Sequence, residues 1–128
     1  IVATDVTGFG LARHAQNLAV RLGLAGCVID LPSMPLLYGV TPLFEAGIKS
    51  SLHEQNQQAV DIHNAWEFNP NSWAVLFDPQ TSGGLLGVFR ASDAENAVNA
   101  LINSGHRAAM IGRLDKKTAG ITIKSGGL

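Results

Sequence analysis

Two short segments hold residue types suited to handling phosphate. The first is Thr4-Asp5-Val6-Thr7-Gly8-Phe9-Gly10, directly ahead of a helical pattern. Gly8 and Gly10 let the backbone approach a ligand closely or take positive φ. The free N–H groups at the start of the following helix attract anions. Asp5 acts in the opposite sense, because a carboxylate repels phosphate. The two facts agree if a divalent cation lies between them, since Mg2+ is commonly held by one or two carboxylates plus phosphate oxygens. The alternative is structural: Asp5 or Thr7 caps the helix and the glycines make a tight turn. The second segment is Asp78-Pro79-Gln80-Thr81-Ser82-Gly83-Gly84, leading into an apolar run. Such a loop can form a backbone nest for phosphate, or it is an ordinary turn punctuated by Asp-Pro and Gly-Gly. Neither segment is a Walker loop or a GxGxxG fingerprint.

The remaining reactive residue types carry weaker patterns. His14, His53, His63 and His106 show no paired metal spacing, and the chain has no HExxH or CxxC. They read as surface histidines. Cys27 lies in an apolar run without a basic neighbour, which describes a buried structural thiol. Trp66, Phe68, Trp73 and Phe77 read as core or interface anchors. Arg113, Lys116 and Lys117 read as a solvated turn between strands.

The elements that position these residues follow from periodicity. Leu11, Ala12, Ala15, Leu18, Ala19 and Leu22 recur at helical spacing, which predicts an amphipathic helix over 10–22 stopped by Gly23. Residues 27–31 predict a short strand, broken by Leu-Pro-Ser-Met-Pro. A second helix is expected over 41–46, with Thr41 as cap, Pro42 at the first helical position and Gly47 as stop. Residues 49–60 are polar and weakly patterned, a surface loop or a short helix. Loose alternation over 61–68 predicts a strand with Ile62, Asn64, Trp66 and Phe68 on one side. Residues 71–77 fit a helical turn or a strand, and 85–89 a buried strand. Ser92-Asp93-Ala94-Glu95 has capping-box spacing ahead of a helix ended by Gly105. Strands are expected over 107–112 and 120–124. This order implies an α+β or α/β domain with helices covering a sheet.

Composition bounds the function. A chain of 128 residues makes one ordinary domain. Leu, Ile, Val and Phe supply about 29 % of it, enough for a packed core. Charged residues are only 15 % and the net charge is −1, so no basic field exists to hold a nucleic acid. One cysteine cannot close an internal disulfide, which excludes a bridge-stapled secreted scaffold and favours a reducing compartment. No apolar run approaches the roughly 18 residues of a membrane span. The chain begins at Ile1 without a signal-peptide layout, and reads as a piece of a longer protein.

Taken together, ATDVTGFGL at 3–11 and LFDPQTSGGLL at 76–86 resemble the C-terminal domain of the selenophosphate synthetases (selenide, water dikinases). That family belongs to the aminoimidazole ribonucleotide (AIR) synthetase-related superfamily of ATP-using proteins. The resemblance extends over nearly the whole chain, with Pro35-Leu36-Leu37-Tyr38 and Phe44-Glu45-Ala46-Gly47-Ile48 in comparable places. It implies an α+β domain, a mixed β-sheet packed with α-helices, occupying 1–128 as the C-terminal domain of a longer enzyme. It implies ATP as substrate, Mg2+ as cofactor, a cytoplasmic homodimer, and selenophosphate, AMP and phosphate as products from selenide and ATP. Asp5 would be the metal-binding carboxylate. Thr4, Thr7 and Gly8 would shape its loop, and Gln80, Thr81, Ser82 and Gly83 would line the same cleft. The family's catalytic Cys or selenocysteine, its Lys and its further aspartates lie in an N-terminal ATP-binding domain. No catalytic residue is therefore expected here, and the piece alone is expected to be inactive. Two other readings are another ATP-dependent member of the superfamily, and a stand-alone binding or dimerisation module.

Overall fold

The computed structural model describes residues 1–128. The chain runs β1 (Val2–Asp5), α1 (Gly10–Arg21), β2 (Gly26–Asp30), α2 (Val40–Glu45), α3 (His53–Gln58), α4 (Pro70–Trp73), a 3-10 turn (Ala74–Phe77), β3 (Leu85–Val88), α5 (Ala91–Asn103), β4 (Gly112–Asp115) and β5 (Gly120–Lys124). The architecture is α+β, as expected. One three-stranded mixed sheet has β2 at its centre, antiparallel to β4 and parallel to β5. A separate antiparallel ribbon joins β1 to β3, with Asp5 opposite Leu85.

β2 is buried along its whole length, as a central strand covered on both faces must be. Its Cys27 and Ile29 join Ile121 and Ile123 of β5, Ala12 and Ala15 of α1, and Trp73, Leu76 and Phe77 in one core. α1 forms over 10–21, and Gly23 takes the left-handed conformation at φ 71°. Its small buried residues, Ala12, Ala15 and Ala19, let the helix axis approach the sheet and the 74–77 turn. Burial pushes the Cys27 thiol up to about 12, so it stays protonated and inert.

Five expectations are corrected. Residues 61–68 do not form a strand. Ile62 makes a single bridge to Ile121, and the Asn64 side chain then takes the place of a strand backbone. Its Nδ2 donates to the Ile123 carbonyl and its Oδ1 accepts from the Ile123 N–H, each at 2.9 Å. β4 lies at 112–115 rather than 107–112. Its pairing is set from the tight turn beyond it, where the Asp115 carboxylate accepts from the Lys117 and Thr118 amides. β3 is not buried: Leu85 is 84 % exposed, because only β1 flanks it. The capping box does not form. α5 starts at Ala91, and the Ser92 hydroxyl donates to the neighbouring Asp93 carboxylate instead. α2 begins at Val40 with Gly39 as its cap, which places Thr41 and Pro42 inside the first turn. Proline is tolerated there because the first amides of a helix have no intrahelical acceptor.

Candidate functional site

The fold brings the two motif segments into direct contact. The Val6 N–H donates to the Gly84 carbonyl at 2.9 Å, and the Gln80 N–H donates to the Thr7 carbonyl at 3.2 Å. Glycine is required on both sides of this join. A Cβ on Gly83 would stand 2.2 Å from the Val6 carbonyl oxygen. Gly10 has φ 78°, and a Cβ there would meet the Leu76 carbonyl oxygen at 2.8 Å. These glycines let the start of α1 and the loop after β1 rest on the backbone of the second motif.

Asp5 ends β1 with its side chain exposed. Its carboxylate makes no hydrogen bond or salt bridge within the chain; the neighbouring Thr4 hydroxyl donates to the Asp5 backbone carbonyl at 3.1 Å. The helix-capping alternative for Asp5 and Thr7 does not hold, because no side chain caps α1. Thr81 and Ser82 are exposed and their hydroxyls have no partner in the chain. The backbone amides of Gly8, Phe9, Thr81, Ser82, Gly83 and Gly84 also lack an intramolecular acceptor. Gln80 is turned inward: its Nε2 donates to the Asp78 carboxylate at 3.1 Å. The result is an open rim with one free carboxylate, two free hydroxyls and two runs of unpaired amides. Unpaired amides in adjoining turns favour an anion, and the carboxylate favours a cation.

As a complete magnesium site this rim does not fit. Nowhere in the chain do three or more His, Cys, Asp or Glu side chains converge as a metal-binding group. Asp5 alone has the donor chemistry of a single ligand. Hard divalent cations are held through several carboxylates or phosphate oxygens together.

Three side chains that support the rim were not singled out from the sequence as doing so. His14, one turn into α1, accepts the Thr7 N–H at Nε2 (3.1 Å), with the Thr7 hydroxyl 3.0 Å from the same nitrogen. It is therefore half-buried and engaged rather than a free surface histidine. His53 is buried, against the surface expectation, packed between the rings of Phe44 and Phe77. Neither of its ring nitrogens has a partner. Burial, with the nearby Lys49 charge, holds its pKa below 6.5, while Asp78 and the neighbouring Gln57 side chain pull the other way. Burial in turn raises the Asp78 carboxyl above its usual range. The third is Asn56, whose amide reaches both segments. None of the three carries a spacing signal. Only Asn56, a polar residue on a helix too short to be stable alone, has a context that invites the question.

Trp73 and Phe77 are core, as expected, whereas Trp66 is 78 % exposed. Two clefts lie away from the rim. One of about 440 Å3 opens at Val28, Arg113, Thr122 and Lys124. The other, about 300 Å3, is lined by Val40, Leu43, Phe44, Ile48, Lys49, Ser50 and Asp78 and touches the second motif only at Asp78.

No protein-family model matches the chain. Among curated proteins it is 35 % identical over 113 residues to a selenide, water dikinase of Citrifermentans bemidjiense, a match covering 88 % of this chain and 32 % of that protein. It is 33 % identical over 120 residues to that of Nitratidesulfovibrio vulgaris, covering 92 % and 34 %. With that of Burkholderia ambifaria it shares 39 % over 115 residues, covering 87 % and 32 %. The chain thus spans about a third of the length of the curated relatives it matches. With the two joined motifs and an identity of 33–39 % over most of its length, this chain is selenide, water dikinase-like, corresponding to one third of such a protein.

Proposed function

We propose that residues 1–128 are the C-terminal domain of a selenophosphate synthetase, a longer enzyme that makes selenophosphate, AMP and phosphate from selenide and ATP. The observation that carries this reading is the junction itself. The free Asp5 carboxylate and the unpaired amides and hydroxyls of the TSGG loop share one rim, and the TDVTGFG and DPQTSGG segments that build it are those of the resemblance. The names of the relatives support selenide and kinase chemistry over another acceptor within the superfamily.

In this reading the rim is half of a site. Asp5 would supply one ligand toward Mg2+, which when bound would neutralise phosphate charge. The other ligands come from an N-terminal ATP-binding domain outside the 128 residues. The Thr81 and Ser82 hydroxyls and the amides of Gly8 and Gly83 hydrogen-bond phosphate oxygens. Thr4 and Thr7 hold the shape of the first loop, Thr7 through His14. Gln80 acts indirectly, by holding Asp78 and the turn. A homodimer working in the cytoplasm belongs to the same proposal. Exposed Phe9 and Leu85, 63 % and 84 % accessible beside the rim, support coverage by another body.

The test is Asp5→Asn in the full-length enzyme. Selenide-dependent AMP formation should fall by at least about 100-fold, some 2.7 kcal/mol of lost charge stabilisation. Thermal stability should not change, because the carboxylate bonds to nothing in the chain. Near-normal turnover with the fold intact rejects the role of Asp5. Turnover with acceptors other than selenide, and none with selenide, favours a different member of the superfamily.

A further inference from the structure

We propose that Asn56 is a positioning residue that locks the two motif segments to one another through a single side-chain amide. Its Nδ2 donates to the Gly8 carbonyl at 2.9 Å and to the Phe77 carbonyl at 3.0 Å. Gly8 belongs to the first segment; Phe77 immediately precedes Asp78, the start of the second. A primary amide has two N–H donors, which is the number this junction uses. No other natural side chain of this size offers that pair without a charge.

The surroundings make the placement rigid. Asn56 is 6 % exposed and lies on α3, which spans only six residues. A helix this short has no stability of its own. α3 and the two residues that follow it are held by tertiary contacts. His53 sits between Phe44 and Phe77, Val60 enters the core, and Arg13 of α1 donates to the Ala59 carbonyl at 3.0 Å. The amide is therefore presented from a fixed base. Phe77 is fully buried, and a buried carbonyl without a partner is costly, so it stays aimed at Asn56; Gly8 is exposed, and its carbonyl is held through the second N–H of the same fixed amide. The peptides that follow them, toward Gly10 on one side and Gln80 on the other, inherit that orientation. Asp5 stands three residues before Gly8, and the TSGG hydroxyls begin four residues after Phe77. Displacing either carbonyl shifts the free carboxylate relative to the free hydroxyls.

The consequence for catalysis rests on the function proposed above; the tether itself does not. Asn56→Ala removes both donors, and Asn56→Asp keeps the shape but turns acceptors toward two carbonyls. Amide hydrogen exchange reports on the junction through the paired N–H groups of Thr7, Gly10 and Gln80. In both variants these should exchange at least about ten-fold faster, while Cys27–Asp30 and Ile121–Ile123 remain within about two-fold of the parent. Asn56→Asp should recover part of the protection on acidification, because a neutral carboxyl regains one donor; Asn56→Ala should not. In the full-length enzyme, Asn56→Ala should raise KM for ATP by about ten-fold. Unchanged exchange at all three reporters overturns the tether, as does a rise that matches the core strands, which would mean general loss of stability. Faster local exchange with an unchanged KM overturns the positioning role and leaves only a structural bond. Failure of Asp5→Asn to impair turnover bears on the proposed function and leaves the exchange result standing.

Discussion

The least expected residue in the molecule is His53. It is buried to 5 % exposure with neither ring nitrogen hydrogen-bonded, between two phenylalanine rings. A ring in that setting resists protonation, first because burial strips water from the charged form and second because Lys49 is near. Its folded pKa lies below 6.5, so below that value the unfolded chain binds more protons than the folded one. Stability then rises with pH until about 6.5 and levels off above it. Asp78 works in a lower window. Its pKa is raised above 3.8, so its contribution is present at the acid end and is lost as pH rises through the folded value. The prediction is made on the difference between two proteins. Stability of the parent against thermal unfolding should fall from pH 7.5 to pH 5.5, and His53→Leu, of similar volume, should flatten that dependence. Leucine also removes a buried ring whose polar nitrogens are poorly satisfied, a group costing about 1–3 kcal/mol, so the variant should be at least as stable as the parent at the acid end. Parallel pH profiles for the two proteins contradict the assignment. Such a residue is invisible to spacing rules: a lone histidine in a polar stretch has no pattern that announces burial, which three-dimensional packing alone decides.

At the scale of elements, periodicity worked where one face meets the core and failed where neighbours supply the pairing. α1 was legible because Ala12, Ala15 and Leu18 repeat against a polar face. β2 and β5 were legible as short apolar runs. The strand expected at 61–68 failed because a side chain, that of Asn64, does the work of a strand edge. The register of β4 was hidden because it depends on the Asp115 turn, a local polar motif, rather than on hydrophobicity. The two motif segments were legible as a pair only through resemblance; nothing in their separate compositions says that they touch. α5 is the instructive case. Ala94, Ala97, Val98, Leu101 and Ile102 keep the helical period, yet none of the helix is buried, and it makes no extensive contact with another element. Its apolar stripe has no counterpart within these residues. Leu101 and Ile102 are 42 % and 50 % exposed, so replacing both with Gln should shift the unfolding free energy of the 128-residue chain by no more than about 0.5 kcal/mol. Chemical denaturation measures this directly. A loss of about 2 kcal/mol or more would mean that α5 packs against the body of the domain.

The whole molecule divides its stability unevenly, and the division falls across the candidate site. Every residue of β2 is buried, and β5 contributes Ile121 and Ile123 at 0 % and 1 % exposure. In the β1–β3 ribbon no residue reaches that class, and an isolated two-stranded ribbon is marginal in water. What holds the ribbon is α1 packed beside it, and beyond its ends the Val6–Gly84 and Gln80–Thr7 hydrogen bonds with the Asn56 bridge. The rim bearing Asp5 is therefore attached to a rigid core but is not part of it. Local opening should release the ribbon without unfolding the sheet. In native-state hydrogen exchange, the paired amides of Val2–Asp5 and Leu85–Val88 should exchange at least about 100-fold faster than those of Cys27–Ile29 and Ile121–Ile123, a gap of about 2.7 kcal/mol. The ribbon amides should also be insensitive to low denaturant, as expected of an opening that exposes little surface. Equal protection of both sheets, merging at the global unfolding free energy, would make the molecule a single cooperative unit. The rim would then be as rigid as the core, and no second domain would be needed to order it. A ribbon that opens alone leaves a different role for such a domain: by covering the exposed side of β1 and β3, it would fix the carboxylate and the TSGG hydroxyls at their working separation.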